Sequence, residues 1–183
     1  MAFRYPLNSS GSTHYNVDWT VGAGGSNWAE DVMLVQALFR IFFYDYNGNM
    51  HDREGMGRVA PPLGYNSIAV DGKCGPATIA HIRWFQTLLV KFGRKSGPDS
   101  RFDPTRHVGD HMYGGANTGE LYSLDYLNLF CMSCDVKSQE RRFQDLPVRE
   151  STPPALRKAL AKAQKVAKQN QYAPQTVPTT GGA

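Results

Sequence analysis

The sequence predicts a mainly α-helical fold: a small helical bundle with long loop insertions, an N-terminal β-strand arm and a C-terminal basic helix. Two observations carry this. Apolar residues recur at helical spacing in four stretches, whereas strict two-residue alternation is seen at residues 14–21. The helical stretches are separated by unusually long runs rich in Gly, Pro, Asp and Asn, which neither period fits. The chain divides accordingly into an arm (1–27), a helical domain (28–135), and a linker, basic amphipathic helix and flexible tail (136–183).

The arm carries HYNVDWTV, with Tyr15, Val17, Trp19 and Val21 on one face and Asn16, Asp18 and Thr20 on the other, the pattern of a half-buried strand. The Gly-rich loop VGAGGSN follows and lacks the Gly-Lys-Ser/Thr ending of a phosphate loop. Asn27 with Glu30 three residues later predicts a helix start. Val32, Val35, Phe39, Phe42 and Tyr46 then repeat at 3.6-residue spacing over about residues 28–45. Residues 45–62 are a long polar loop, and long ordered loops tend to be functional or partner-bound. At Asp71-Gly72 the Asp side chain can accept a backbone N–H two residues on, and Gly tolerates positive φ. Gly75 is a candidate N-cap, and Pro76 suits the first helical position, where its missing N–H has no partner to lose. Thr78, Ile82, Phe85, Leu89 and Phe92 give this second helix its apolar face. Residues 93–119 form a second long loop. A third helix over 120–132 places Leu121, Leu124, Leu127 or Asn128, and Cys131 along one side. The last helix opens at Thr152-Pro153-Pro154, with a narrow Ala-rich stripe through Leu156, Ala159, Leu160, Ala163, Val166 and Ala167. No internal repeat is read.

The formal net charge of +4 is uneven. Residues 149–183 hold six Lys/Arg against one acid, a net of +5, which leaves −1 for residues 1–148. A basic tail on a nearly neutral body argues against a general nucleic-acid-binding surface. No aromatic residue interrupts the lysines to stack on bases, so nucleic acid is not an expected partner. No apolar run is long enough for a membrane span, and the N-terminus lacks the pattern of a secretory signal. The expected site of synthesis is the cytoplasm, with a virion or injection particle, or the cell wall or periplasm, as the place of action.

Helix one carries Val32-x-x-Val35-Gln36-x-x-Phe39. Leu63-Gly64-Tyr65, Val70-Asp71-Gly72-x-x-Gly75-Pro76-x-Thr78 and Ile82-x-x-Phe85-Gln86 follow. This combination resembles the peptidoglycan-binding-domain-1 family, a three-helix module found on cell-wall hydrolases. The match covers about residues 29–92, with the helix near 120–132 completing the bundle. Cys74 stands where the family usually has Phe, and the loops at 45–62 and 93–119 are longer than usual. The resemblance implies a shallow groove beside the turn that takes wall peptide or glycan. In it, Tyr65, Lys73 and Arg83 are the expected ligand contacts, since aromatic faces stack on sugars and cations pair with carboxylates. Gln36, Asp71, Gly72, Gly75, Pro76, Thr78, Phe85 and Gln86 are expected to be structural.

No cofactor and no catalytic residue are expected. Cys131-x-x-Cys134, with Cys74, is compatible with plain thiols, a disulfide, or a metal site. His107 and His111 have ligand spacing only on a helix, and Val-Gly-Asp between them favours a loop. His51-Asp52-Arg53-Glu54 is a charge run in a Gly-rich loop. The bundle leaves no segment long enough for a separate catalytic domain.

The expected function is a non-catalytic structural or binding protein that uses this bundle as an assembly module. A component of a bacteriophage particle or contractile injection device fits, with other subunits and copies of itself as partners. The alternative is a free peptidoglycan-binding adaptor. A third reading is a hydrolase with catalytic residues on the inserted loops. The strand and the terminal helix either dock on neighbours, as assembly requires, or fold back on the same body.

Overall fold

Four α-helices dominate the structure, a computed structural model that describes residues 1–6, 13–49, 58–94, 97–108, 111–113 and 121–170, without the side chains of 5, 6, 106–108, 111–113 and 163–170. Helix α1 (Ala29–Phe39) runs into a π-helical turn (Arg40–Asp45). The wider turn, closed by Tyr46 N–H donating to the Ile41 carbonyl at 3.0 Å, lets the consecutive residues Ile41, Phe42 and Phe43 all enter the core. Helix α2 (Pro76–Lys91) starts at N-cap Gly75 with Pro76 in the first turn, as the sequence predicts. It ends where Gly93 turns left-handed (φ +77°) and Arg94 N–H reaches back to the Leu89 carbonyl at 2.9 Å, a Schellman closure. Helix α3 (Ser123–Ser138) outlasts the predicted 120–132 and stops at left-handed Gln139. Helix α4 spans Pro154–Asn170.

Val35, Phe39, Phe42, Ile82, Phe85, Leu89, Leu124 and Leu127 are buried together, as their spacing predicts. Phe85 lies at the centre, its ring 5.6–6.1 Å from those of Phe39, Phe42, Phe102 and Phe130.

The predicted strand at 14–21 is two short strands with a bend between them. Strands β1 (Phe3–Pro6) and β2 (Thr13–Asn16) pair antiparallel, and β3 (Val21–Gly22) pairs with β4 (Arg101–Phe102). Strict alternation fails. His14 and Asn16 are buried along with Tyr15, while Trp19 is half exposed. The cause is that β2 is covered on both faces. Asn128 of α3 accepts the Tyr15 N–H at 2.8 Å and donates to the Tyr15 carbonyl at 3.0 Å. Asn16 makes the same two-way bond with the backbone of Thr105, at 2.8 and 2.9 Å.

The arm and the terminal helix therefore fold back on the body. The Tyr15 hydroxyl donates to the Phe143 carbonyl at 2.9 Å, and α4 packs on β1 and α1 with Leu156, Ala159 and Leu160 buried. One core cluster runs from Ala2 to Leu160, through all three segments into which the sequence divides. The other members of the predicted α4 stripe, Ala163, Val166 and Ala167, lie outside the described side chains, and residues 171–183 lie outside the described residues.

The long loops are only partly described. The first is clasped at its base by an Asn49–Arg58 bridge, with Val59 N–H donating to the Gly48 carbonyl at 3.1 Å. His51, Asp52, Arg53 and Glu54 lie outside the described residues. The second contributes β4 and a pairing of β5 (Arg106–Val108) with β6 (His111–Tyr113), so the backbone at His107 and His111 is extended rather than helical. Among the described residues no helix is long and apolar enough to cross a membrane.

Candidate functional site

Gln36, buried on α1, holds the turn that precedes α2. Its carbonyl oxygen accepts the N–H groups of Asp71 at 3.0 Å and Gly72 at 2.9 Å. Its amide donates to the Asp71 carboxylate, the Lys73 carbonyl and the Thr78 hydroxyl at 3.0–3.1 Å. Asp71 closes the turn by accepting the Lys73 N–H at 2.9 Å, and that bond, helped by Gln36, lowers its carboxyl pKa. Gly72 is left-handed (φ +75°), and a Cβ there would stand 3.0 Å from the Ala29 carbonyl oxygen and from the Met33 terminal methyl. Gly72→Ala is expected to cost about 1–2 kcal/mol in reversible denaturation, because strain and crowding act together. Gln36, Asp71, Gly72, Gly75, Pro76 and Thr78 thus all lie in this bonded turn and in the helix start that follows it.

A second latch of the same design follows α2. The Gln86 carbonyl oxygen accepts the Ser100 N–H at 2.8 Å, and its amide donates to the Asp99 carboxylate at 2.7 Å and the Arg101 carbonyl at 2.8 Å. Asp99 accepts the Arg101 N–H at 3.0 Å, and Ser100 is left-handed (φ +63°) where the first latch has Gly72. The sequence holds the echo: Asp71-Gly72-Lys73-Cys74-Gly75-Pro76 against Asp99-Ser100-Arg101-Phe102-Asp103-Pro104. Phe102, the counterpart of Cys74, fills the core. The Gly-rich loop bridges the latches, with Ala23 N–H on the Ser100 carbonyl at 3.0 Å. Asn27 does not cap α1, whose N-cap is Trp28. It closes the Gly-rich loop instead, through bonds to Gly22 and Gly25 at 2.7–3.0 Å.

The three expected ligand contacts have these placements. The Tyr65 ring lies against buried His81, centroids 5.4 Å apart. Arg83 is exposed but two residues beyond His81, about 200° around the helix at 3.6 residues per turn. Lys73 is exposed on the turn. The Tyr44 hydroxyl stands 2.7 Å from His81 Nε2 and 3.1 Å from the Tyr65 carbonyl oxygen, while His81 Nδ1 faces the Ala77 carbonyl at 2.7 Å. Burial pulls the His81 pKa down, against the raising effect of the Ala77 bond, so this histidine serves as a neutral core residue.

Two aromatic residues beside the first latch were not anticipated as contacts. Trp19 and Trp28 are 51% and 55% exposed and stack nearly parallel, centroids 6.3 Å apart at 14°. Buried Asp31, one turn into α1, accepts the N–H groups of Asp18 at 3.3 Å and Trp19 at 3.2 Å and so fixes Trp19 beside Trp28. Trp28 adjoins Ala29, the residue on which Gly72 packs.

The cysteines are free thiols. Burial raises the pKa of Cys74, that of Cys134 to about 12, and that of Cys131 well above its ordinary value, so neither member of the Cys131/Cys134 pair is an activated thiolate. Cys131 instead contacts the Leu38 carbonyl at 3.4 Å. Among the described residues no group of three or more His, Cys, Asp or Glu is placed to hold a metal.

No protein-family model, curated protein or solved structure matches the chain.

Proposed function

We propose that this protein is a non-catalytic binding protein, in which α1, α2 and α3 form a peptidoglycan-binding-like three-helix core and the Trp19–Trp28 pair is the contact surface for wall glycan. The observation that carries the reading is that pair. Two large aromatic faces stand half exposed, near-parallel and anchored by a buried carboxylate. Indole stacked on a saccharide ring shields the apolar C–H face of the sugar from water. Lys73, on the adjoining turn, is available to a peptide carboxylate. The non-catalytic part of the proposal is supported by the single core, which incorporates the arm and the last helix and leaves no second folded unit among the described residues.

The test is co-sedimentation of the purified full chain with cell-wall sacculi. Binding is expected, with a loss of about tenfold or more in Trp28→Ala and in Trp19→Ala; these exposed changes should leave the melting temperature nearly unchanged. Absence of binding by the parent chain, or binding by both variants as tight as the parent's, would overturn the wall reading.

The assembly reading, a subunit of a bacteriophage particle or injection device, keeps one supporting observation. Leu63 is 99% exposed at the tip of the Pro62–Tyr65 turn, closed by Tyr65 N–H on the Pro62 carbonyl at 3.2 Å, with Gly64 left-handed. Defined complexes on sizing columns, dissolved by Leu63→Ser but not by Trp28→Ala, would favour it.

A further inference from the structure

Buried His81 belongs to a row of polar atoms that is one hydrogen short. Its Nδ1 stands 2.7 Å from the Ala77 carbonyl, its Nε2 stands 2.7 Å from the Tyr44 hydroxyl, and that hydroxyl stands 3.1 Å from the Tyr65 carbonyl. Three contacts need three hydrogens. A carbonyl only accepts, so Nδ1 carries one of them. Nε2 of a neutral ring is then a bare acceptor, and it takes the single hydrogen that Tyr44 has to give. The Tyr65 carbonyl receives none. The distances follow this order, shorter at Nε2 than at Tyr65. A proton added at Nε2 completes the set: Nε2–H donates to the Tyr44 oxygen, and Tyr44 turns its own hydrogen to the Tyr65 carbonyl.

We propose that His81 is a proton-operated clamp on the Leu63 turn, closed when the imidazole is charged and open when it is neutral. The segment is fastened by two side chains. Trp84, one turn along α2, donates its Nε1–H to the Ala60 carbonyl at 2.9 Å, a bond that does not titrate. The other fastening is Tyr44 on Tyr65. Between them, among the described residues, Pro61–Gly64 make no bond besides the turn's own, Tyr65 N–H on the Pro62 carbonyl. The hold on exposed Leu63 thus depends on the charge of a buried ring, whatever Leu63 meets and whatever the tryptophan pair binds.

The surroundings leave this titration to His81. The ring meets Phe39 from α1, Phe43 and Tyr44 from the π-helical turn, and Tyr65 from the fastened segment. The two tyrosines are the titratable groups that face it, and no charged side chain among the described residues is bonded to it. Burial raises the Tyr44 pKa, so its hydroxyl keeps its hydrogen while His81 titrates. The Phe39 and Phe43 ring centroids, 5.6 and 5.9 Å away, are within reach of a cation–π contact with the charged ring. Burial lowers the His81 pKa, so the clamp is open at neutral pH and closes below the ordinary value of 6.5.

The experiment is an NMR titration of the full chain from neutral pH into acid. It follows the His81 ring nitrogens and the backbone amides of Leu63, Gly64 and Tyr65. The Nδ1–H tautomer is expected at neutral pH. On acidification the turn signals should shift with the same midpoint as the ring, and amide nitrogen relaxation should show the turn becoming more rigid. Tyr44→Phe should uncouple the two. The turn signals then stop following the ring, and His81 charges only at about tenfold or more higher proton concentration, because Nε2–H has lost its acceptor. Should that variant fail to fold, the titration of the parent chain decides alone. The inference fails if the neutral ring is the Nε2–H tautomer, if the turn signals stay unchanged while His81 titrates, if they still follow it in Tyr44→Phe, or if the chain unfolds with His81 still neutral.

Discussion

Removing residues 1–22 is expected to abolish cooperative unfolding altogether. The segment looks like a dispensable arm in the sequence, but four kinds of support leave with it. Tyr15 takes a buried aromatic ring that meets Phe143 edge-on at 5.1 Å, a loss of about 3–5 kcal/mol by comparison with aromatic truncations. The Asn128 amide loses both backbone partners on Tyr15, and a buried polar group without partners costs about 1–3 kcal/mol. The Val21–Phe102 pairing goes, and α4 loses β1, against which it packs. Together these match the whole stability of a typical domain, about 5–15 kcal/mol. Calorimetry and near-ultraviolet circular dichroism should show no transition. A truncated chain melting at the parent's temperature would refute the burial of β2.

The second large effect is at Phe85. Its side chain is fully buried and meets four phenylalanine rings contributed by α1, the π-helical turn, β4 and α3. Phe85→Ala should cost about 3–5 kcal/mol, and Phe85→Leu appreciably less, because leucine refills part of the space. Urea denaturation with an unchanged slope measures both. A loss below about half a kcal/mol for the alanine variant would contradict this core.

The helices were legible because their cause is local. Val32, Val35, Phe39 and Phe42 announce α1 by spacing alone, and Gly75-Pro76 announces the start of α2. What stayed hidden depends on remote partners. Asn16 looks like a solvent-facing amide and Asn128 competes with Leu127 for the packed side of its helix, yet each is buried because it substitutes for a strand neighbour by bonding both the N–H and the carbonyl of one residue. That pairing is invisible until the fold joins positions 15 and 128. The π-helical turn was hidden for a related reason: Ile41, Phe42 and Phe43 are all apolar, and spacing cannot tell which of them faces inward. The second latch was within reach, since Asp99-Ser100-Arg101 repeats Asp71-Gly72-Lys73, but serine in place of glycine disguised the left-handed residue. Among the expected contacts, Tyr65, Lys73 and Arg83 each sit near the turn in sequence, and Arg83 lies about 200° of helical rotation beyond His81, against which Tyr65 rests.

The bonds from Tyr15 to Asn128 and to Phe143 also order events during synthesis. They join residues 113 and 128 positions apart. At about 5–20 residues per second, a ribosome needs roughly ten seconds to deliver the partners of Tyr15 after making it. Until then the nascent N-terminal strands have no α3 to cover them and no α4 to seat on. α1 and α2, joined by the shorter-range Gln36–Thr78 bond, can associate while the remainder is still being translated. These strands are therefore made before α1, α2 and α3 yet enclosed only after α3 arrives, and in that interval Tyr15, Val17 and Val21 are the apolar surface that a chaperone would meet.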